Sequence, residues 1–292
     1  MSSVNDDHRG DGSSVAIMSI VAGVGLLTCG DIFAKIVTED MTPFNYVLLR
    51  SAFAFIPVLI ALHVTRTWQQ LRTQRLGGQI ARGAAMATAY TCYLQSIQTL
   101  PIADAIAIIF SSPFLVALFA RWFLGEHVPL IRWIAIFLGF AGTLIIVQPG
   151  TDAFQPAALW GVTGAAAAAV TSLLARRLGS TEPPPVTSFY TTIAFLLTGV
   201  IPVTLIPGHW GPVSDIHFLM IVSAGLIAGT AHFLIILAYR RAQASLVAPF
   251  EYASVPIAVV MGYLVFGDIP TTAVWVGMAM IIVAGTLLAR KR

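Results

Sequence analysis

Apolar residues in this chain fall into ten runs of about 20 residues, separated by short polar connections. As an α-helix rising about 1.5 Å per residue, each run can cross the roughly 30 Å of hydrocarbon in a bilayer. The pattern therefore predicts ten transmembrane helices, and no connection is long enough to hold a soluble domain. The predicted spans are residues 15–37, 44–65, 80–98, 104–124, 132–148, 157–177, 187–207, 217–239, 245–266 and 273–290.

A segment of the first half, Ala105 to Gly150, is repeated near the C-terminus. Each copy carries a proline, a Gly-acidic turn, a tryptophan and a Gly-Thr pair, in that order. The proline precedes the Gly-Thr pair by 29 positions in both copies, at Pro113 and at Pro256. Chance likeness between Ala-, Leu- and Gly-rich segments is the alternative, but the shared order favours duplication of half the chain.

Composition agrees with a membrane protein. Residues of the AVILMFWYC set make up 57% of the chain and charged residues only 10%, whereas soluble domains carry about 25% charged residues. Cys29 and Cys92 both fall inside apolar spans, which favours a packing role over a disulfide framework. Residues 1–14 are polar and predict a disordered cytoplasmic tail, followed by an uncleaved first span.

The basic residues predict the orientation. If the N-terminus is cytoplasmic, 14 of the 16 Lys and Arg residues fall in or beside cytoplasmic connections, and only Lys35 and Arg50 lie inside spans. This distribution obeys the positive-inside rule and predicts that both termini are cytoplasmic. Five spans per half is an odd number, so the halves cross the membrane in opposite senses. The predicted fold is an all-α integral membrane protein built from two five-helix inverted repeats, residues 15–150 and 157–292.

Several short motifs resemble the EamA-type family of the drug/metabolite transporter superfamily, over essentially the full chain. They are the span-2 segment Phe44 to Arg50, Ser111-Ser112-Pro113, Ser254-Val255-Pro256, the Leu124-Gly125-Glu126 turn and the Gly-Thr pairs of spans 5 and 10. The resemblance implies a transporter that moves a small metabolite, often outward, but it does not name the substrate.

Charged residues inside spans are the first candidates for a substrate site, because each costs at least about 2.5–3.5 kcal/mol unless it has a partner or water. Asp31 and Lys35 lie at i and i+4 on span 1, and Arg50 lies at a similar depth on span 2. One interpretation is an ion-pair clamp in which Asp31 is neutralised by Lys35 and Arg50. The other is a binding site for a substrate carboxylate, which the planar guanidinium of Arg50 suits best.

Glu251 is the candidate for coupling, because it is an acidic residue inside span 9 between Pro249 and Pro256. A carboxylate in this setting can carry a proton, although a structural contact with Arg240 or Arg241 is the alternative. Further candidates for the cavity wall are Tyr90, Tyr93 and Gln95 on span 3 and Tyr252 on span 9, and helix packing is the alternative for most of them.

We therefore predict a secondary transporter for an amino-acid-like or carboxylate-bearing metabolite, acting as an exporter in the inner membrane by alternating access. Proton coupling and exchange stay open, and so does a homodimer. A passive facilitator is the alternative, and a membrane-embedded enzyme is less favoured because the charges are scattered over separate spans. The sequence has no phosphate-binding loop and no clustered metal-ligand spacing, so we expect no enzymatic activity, no cofactor and no nucleic-acid partner.

Overall fold

The computed structural model describes the backbone of residues 4–112, 114–116, 118–119, 130–148, 154–178, 183–205, 213–241 and 248–290. Ten α-helices have both ends within these residues, and no strand is found among them. They are α1 (Val4–Asp40), α2 (Pro43–Val64), α3 (Leu76–Ile97), α4 (Ile102–Ile109), α5 (Leu130–Val147), α6 (Ala157–Leu178), α7 (Pro184–Leu205), α8 (Asp215–Arg241), α9 (Ser254–Phe266) and α10 (Thr272–Arg290).

Half of these helices are long and apolar enough to cross a bilayer. Among the described residues, five helical segments meet both criteria, in α1, α2, α6, α7 and α8, and four shorter apolar helices accompany them. The ten helices follow the ten predicted spans, so the predicted all-α membrane fold is confirmed.

The helix pairing has two-fold symmetry when α6 to α10 are taken as the counterparts of α1 to α5. α1 packs on α8, and the counterpart pair α6 and α3 packs in the same way. The contact of α2 with α8 is matched by that of α7 with α3, while α2 meets α7 and α5 meets α10. Each of these major contacts thus maps onto another contact or onto itself, as an inverted repeat requires.

Spans 4 and 9 are interrupted at matching places. α4 ends at Ile109, and a turn at Phe110 and Ser111 precedes further helical turns in the described part of 112–119. In span 9, predicted as one helix over 245–266, a 3₁₀ segment (Ala248–Ala253) precedes α9. Proline lacks an amide hydrogen, so Pro249 cannot donate the hydrogen bond that a continuous α-helix needs.

Residues 4–14 differ from the disordered tail predicted over 1–14, because the structure begins α1 at Val4. Once the apolar span has formed a helix, each further residue adds a hydrogen bond without a new nucleus. The polar segment therefore extends α1 beyond the membrane-crossing part.

Glycines bring α8 against α2. A Cβ atom at Gly225 would lie 2.6 Å from the Arg50 carbonyl oxygen and 2.7 Å from the Phe53 Cβ, and one at Gly229 would overlap the Pro57 ring. Small residues four positions apart allow this close approach of two helices in a membrane.

Gly225→Ala should therefore destabilise the protein. The new methyl group meets backbone atoms of α2 that cannot move cheaply, and overpacking of this kind typically costs about 1–3 kcal/mol. We expect a lower midpoint of thermal unfolding in detergent. The matched control is Gly77→Ala in α3, where an added Cβ meets nothing within 4 Å, and an unchanged midpoint for Gly225→Ala would contradict the close contact.

Candidate functional site

Four of the predicted site residues lie together where α1, α2 and α3 meet. The Tyr93 hydroxyl donates a hydrogen bond of 3.0 Å to Asp31 Oδ2. The Arg50 guanidinium lies over the Tyr90 ring, with its carbon 4.7 Å from the ring centroid. Tyr90 and Tyr93 are neighbours on one face of α3, with ring centroids 6.4 Å apart. The four side chains form what we call the central cluster.

Arg50 is buried in this cluster with little polar compensation from the protein. Its side chain is only 7% exposed, and Nε has no hydrogen-bond partner among the described residues. The hydroxyl groups of Tyr46 and Tyr90 are buried nearby and lie close enough to hydrogen-bond to each other. Since a buried charge is costly unless it is paired, this arrangement suits a ligand that brings an anionic group.

Lys35 lies apart from the central cluster, at the predicted outer end of the bundle. Its Nζ donates to the Leu100 carbonyl oxygen at 3.0 Å and lies 3.6 Å from Asp268 Oδ2. It also lies 4.7 Å from the centroid of the Phe266 ring. Among the described side chains Asp31 forms no ion pair within 4.0 Å with Lys35 or Arg50, so the three do not form the clamp considered above.

Other contacts tie the same end together. Gln98 Nε2 donates to the Thr38 carbonyl oxygen at 2.9 Å, and His217 Nε2 lies 3.9 Å from Asp40 Oδ2. With the Lys35–Asp268 pair, these contacts join the ends of α1, α3, α8 and α9. We call this group of contacts the outer-end network.

A cavity of about 160 Å³ lies between α2, α3, α7 and α8. It reaches from Thr65 and Pro185, near the ends of α2 and α7, up to Arg50 in the middle of the bundle. These helix ends belong to the predicted cytoplasmic side, opposite the outer-end network. The polar side chains that line the cavity are Arg50, Thr65, Arg82, Ser188, Thr191, Thr192 and His232.

Sequence reasoning missed most of this lining. Arg82 was counted with the basic residues in or beside the cytoplasmic connections, two positions after the predicted start of span 3 at residue 80. The helix α3 begins earlier, at Leu76, so Arg82 lies about 9 Å along it. Its Nη1 donates to Thr191 Oγ1 at 2.7 Å. The earlier start of α3 could have been found in the sequence, because the helix can be extended backwards from span 3 to include Gly77 and Gly78. His232 of α8 is a further lining residue and is exposed to the cavity.

The remaining predicted site residues lie elsewhere or outside the described side chains. Gln95 is half-buried on α3 and does not line the cavity. Glu251 is half-buried in the 3₁₀ segment before α9, where Ser254 Oγ donates to its backbone oxygen at 2.9 Å. The side chain of Tyr252 is outside the described residues. Glu251 is therefore separate from the cavity lined by Arg50.

The chain is similar to proteins that are named as transporters. It is 32% identical over 241 residues to a riboflavin transporter of Vibrio cholerae, covering 81% of this chain and 79% of that protein. It is 25% identical to an S-adenosylmethionine uptake transporter of Rickettsia bellii, covering 89% and 88% of the two chains. A solved structure has the same fold, with a TM-score of 0.64 at 20% identity over 96% of both chains.

A family model described as the EamA-like transporter family matches the chain twice, at residues 14–148 and 155–290. The two matches, the ten helices and their two-fold pairing describe a multi-pass membrane protein for small molecules. The chain belongs to the EamA-like transporter family.

Proposed function

We propose that this chain is a secondary transporter that moves a small organic metabolite with a carboxylate or similar anionic group across the cell membrane. The observation that carries the proposal is the cavity that leads to Arg50. The guanidinium has a buried Nε without a partner among the described residues. A substrate oxyanion would supply the missing acceptor, and Phe195, which lines the cavity and packs against Tyr90, would contact an organic body.

Alternating access is supported by the difference between the two ends of the bundle. The cavity extends from one end to Arg50. At the other end, the outer-end network holds α1, α3, α8 and α9 together through Lys35 and its partners. Transport would require this network to open while the cavity closes, which exchanges access between the two sides.

The direction we propose is export from the cytoplasm, since the cavity lies at the end predicted to be cytoplasmic. One relative is named as an S-adenosylmethionine uptake transporter, so a direct assay must measure flux in both directions. The test is uptake and efflux in proteoliposomes with a panel of organic acids, amino acids, riboflavin and S-adenosylmethionine. Movement of neutral or cationic compounds alone would contradict the anionic cargo.

A passive facilitator is the second candidate, because it shares the fold and needs no coupling residue. In a facilitator, flux would follow the gradient of the cargo alone. A secondary transporter would accumulate its cargo in response to a proton gradient or to a counter-substrate.

We expect both termini on the cytoplasmic side. The reason is the confinement of basic residues to one set of connections, which the positive-inside rule places inside. A cysteine introduced at Asp152 should react with an impermeant thiol reagent in intact cells, whereas one beside Lys291 should react only after permeabilisation. Labelling of the C-terminus from outside would contradict the proposed orientation.

Arg50→Lys should weaken transport of the anionic cargo while the protein stays folded. Lysine keeps the positive charge but loses the planar fork that holds a carboxylate through two hydrogen bonds. We expect KM to rise about tenfold, the equivalent of one hydrogen bond to a charged group. Arg72→Lys, at an exposed arginine outside the cavity, is the matched control. Normal transport by Arg50→Lys together with unfolding of Asp31→Asn would instead indicate a structural role for the central cluster.

Glu251→Gln should separate exchange from accumulation if Glu251 carries the coupling proton. Glutamine resembles the protonated carboxyl group, so cargo exchange should persist while accumulation driven by a pH gradient is lost. The control is Glu39→Gln, at an exposed glutamate near the C-terminal end of α1, on the predicted outer side. Accumulation by Glu251→Gln at the wild-type level would remove Glu251 from this role and direct attention to Asp31.

A further inference from the structure

Arg82 and Thr191 face the cavity at a different depth from Arg50. Arg50 lies about 21 Å from the end of α2 at Val64, and Arg82 lies about 9 Å from the start of α3 at Leu76. Both helix ends belong to the same side of the bundle, so the backbone positions of the two arginines differ in depth by about 12 Å. The cavity therefore has a cationic group at its inner limit and a second one nearer its mouth.

The second level is related to the first by the inverted repeat. α2 begins at Pro43 and α7 at Pro184, and Arg50 and Thr191 are each seven positions further along. Because α2 and α7 run in opposite senses, these equivalent positions lie about 10 Å from opposite ends of the bundle. Thr191 is neutral, but Arg82 of α3 donates to its hydroxyl oxygen at 2.7 Å. A guanidinium is thus present at both symmetry-related levels.

The surroundings of Arg82 leave it able to hold a ligand. Its Nε is buried without a hydrogen-bond partner among the described residues, and the hydroxyl group of Thr191 is a neutral acceptor. None of the described residues that line the cavity is acidic. His232 also lines the cavity, and its Nδ1 donates to the Ala228 carbonyl oxygen at 2.7 Å. The cavity is therefore electropositive along its length, and it would concentrate anions.

We propose that Arg82, positioned by its hydrogen bond to Thr191, forms a second oxyanion subsite that receives the carboxylate or phosphate group of the cargo near the cavity mouth. The proposal rests on the proposed function, because it assumes that the cargo is anionic. In the structure's open state, the cargo would meet Arg82 first and Arg50 afterwards. Arg82 would then be a binding residue for cargo rather than only a link between α3 and α7.

The charge of the subsite can be measured without knowing the cargo. In the full chain with Cys29→Ala and Cys92→Ala, a reporter Ser188→Cys in the cavity is modified with methanethiosulfonates that carry a sulfonate or a trimethylammonium group. The ratio of the two rates reports the local potential. Arg82→Gln should lower the anion-to-cation ratio about fivefold or more, since one nearby positive charge is removed from a poorly screened site. Arg72→Gln, outside the cavity, should leave the ratio unchanged.

Two further variants keep the result interpretable if Arg82→Gln is poorly folded. Arg82→Lys should retain most of the anion preference, and Thr191→Val should retain it while the link between α3 and α7 is lost. With a second reporter, Thr65→Cys, the variants should rank in the same order by their anion-to-cation ratio. A ratio that falls in Thr191→Val as much as in Arg82→Gln would overturn the proposal, because the packing contact would then control the reporter.

Inorganic phosphate and succinate are then tested for protection of the Ser188→Cys reporter against methanethiosulfonate modification. The result shows which oxyanion the subsite accepts. Protection by either one that is lost in Arg82→Gln supports the subsite, and a difference between the two identifies the preferred group. Protection by neither overturns the proposal. These outcomes are independent of transport: an Arg82-dependent anion preference without any anion flux would refute the proposed cargo but keep the subsite. Anion flux with the same KM in Arg82→Gln would refute the subsite alone.

Discussion

A guanidinium group in the apolar interior is the constraint on which this structure depends. Arg50 cannot lose its charge, and removing an ion from water costs several kcal/mol unless partners replace the water. The described protein groups give it an aromatic face in Tyr90 but no carboxylate within ion-pairing distance. The bundle instead keeps a cavity beside it. A residue that is expensive to bury is thereby placed where water or an anionic ligand can reach it.

Two-fold pairing of the helices determines where such a cavity can lie. Because α2 contacts α7, and both contact the third helix of the opposite repeat, four helices surround one space on the symmetry axis. Sequence divergence between the halves then makes the space chemically asymmetric: Arg50 in α2 corresponds to Thr191 in α7. A symmetric scaffold with asymmetric side chains can present one substrate to both sides of a membrane and still bind it in one orientation.

The fold could be predicted from the sequence because apolar length and the distribution of basic residues are properties of single spans. The central cluster was predicted in part, since a charge such as Arg50 is conspicuous inside an apolar run. The partner of Lys35 was not predictable, because Asp268 lies in the other repeat and only packing brings it near. Arg82 was grouped with the cytoplasmic connections because the predicted span 3 begins only two residues before it, whereas α3 begins at Leu76. Its contact with Thr191 was not predictable, because Thr191 also lies in the other repeat and only packing brings it near.

The two ends of the bundle share α3 and α8 but otherwise involve different helices, and this division affects how the protein can move. The cavity also lies against α2 and α7, whereas the outer-end network also depends on α1, α9 and the turn at Asp268. α1 is packed along α8, and α8 is fixed to α2 through Gly225 and Gly229. A displacement of α8 that narrowed the cavity would therefore pull on α1 and on the contacts of Lys35. Close glycine packing makes this link stiff, which is what coupling between the two ends requires.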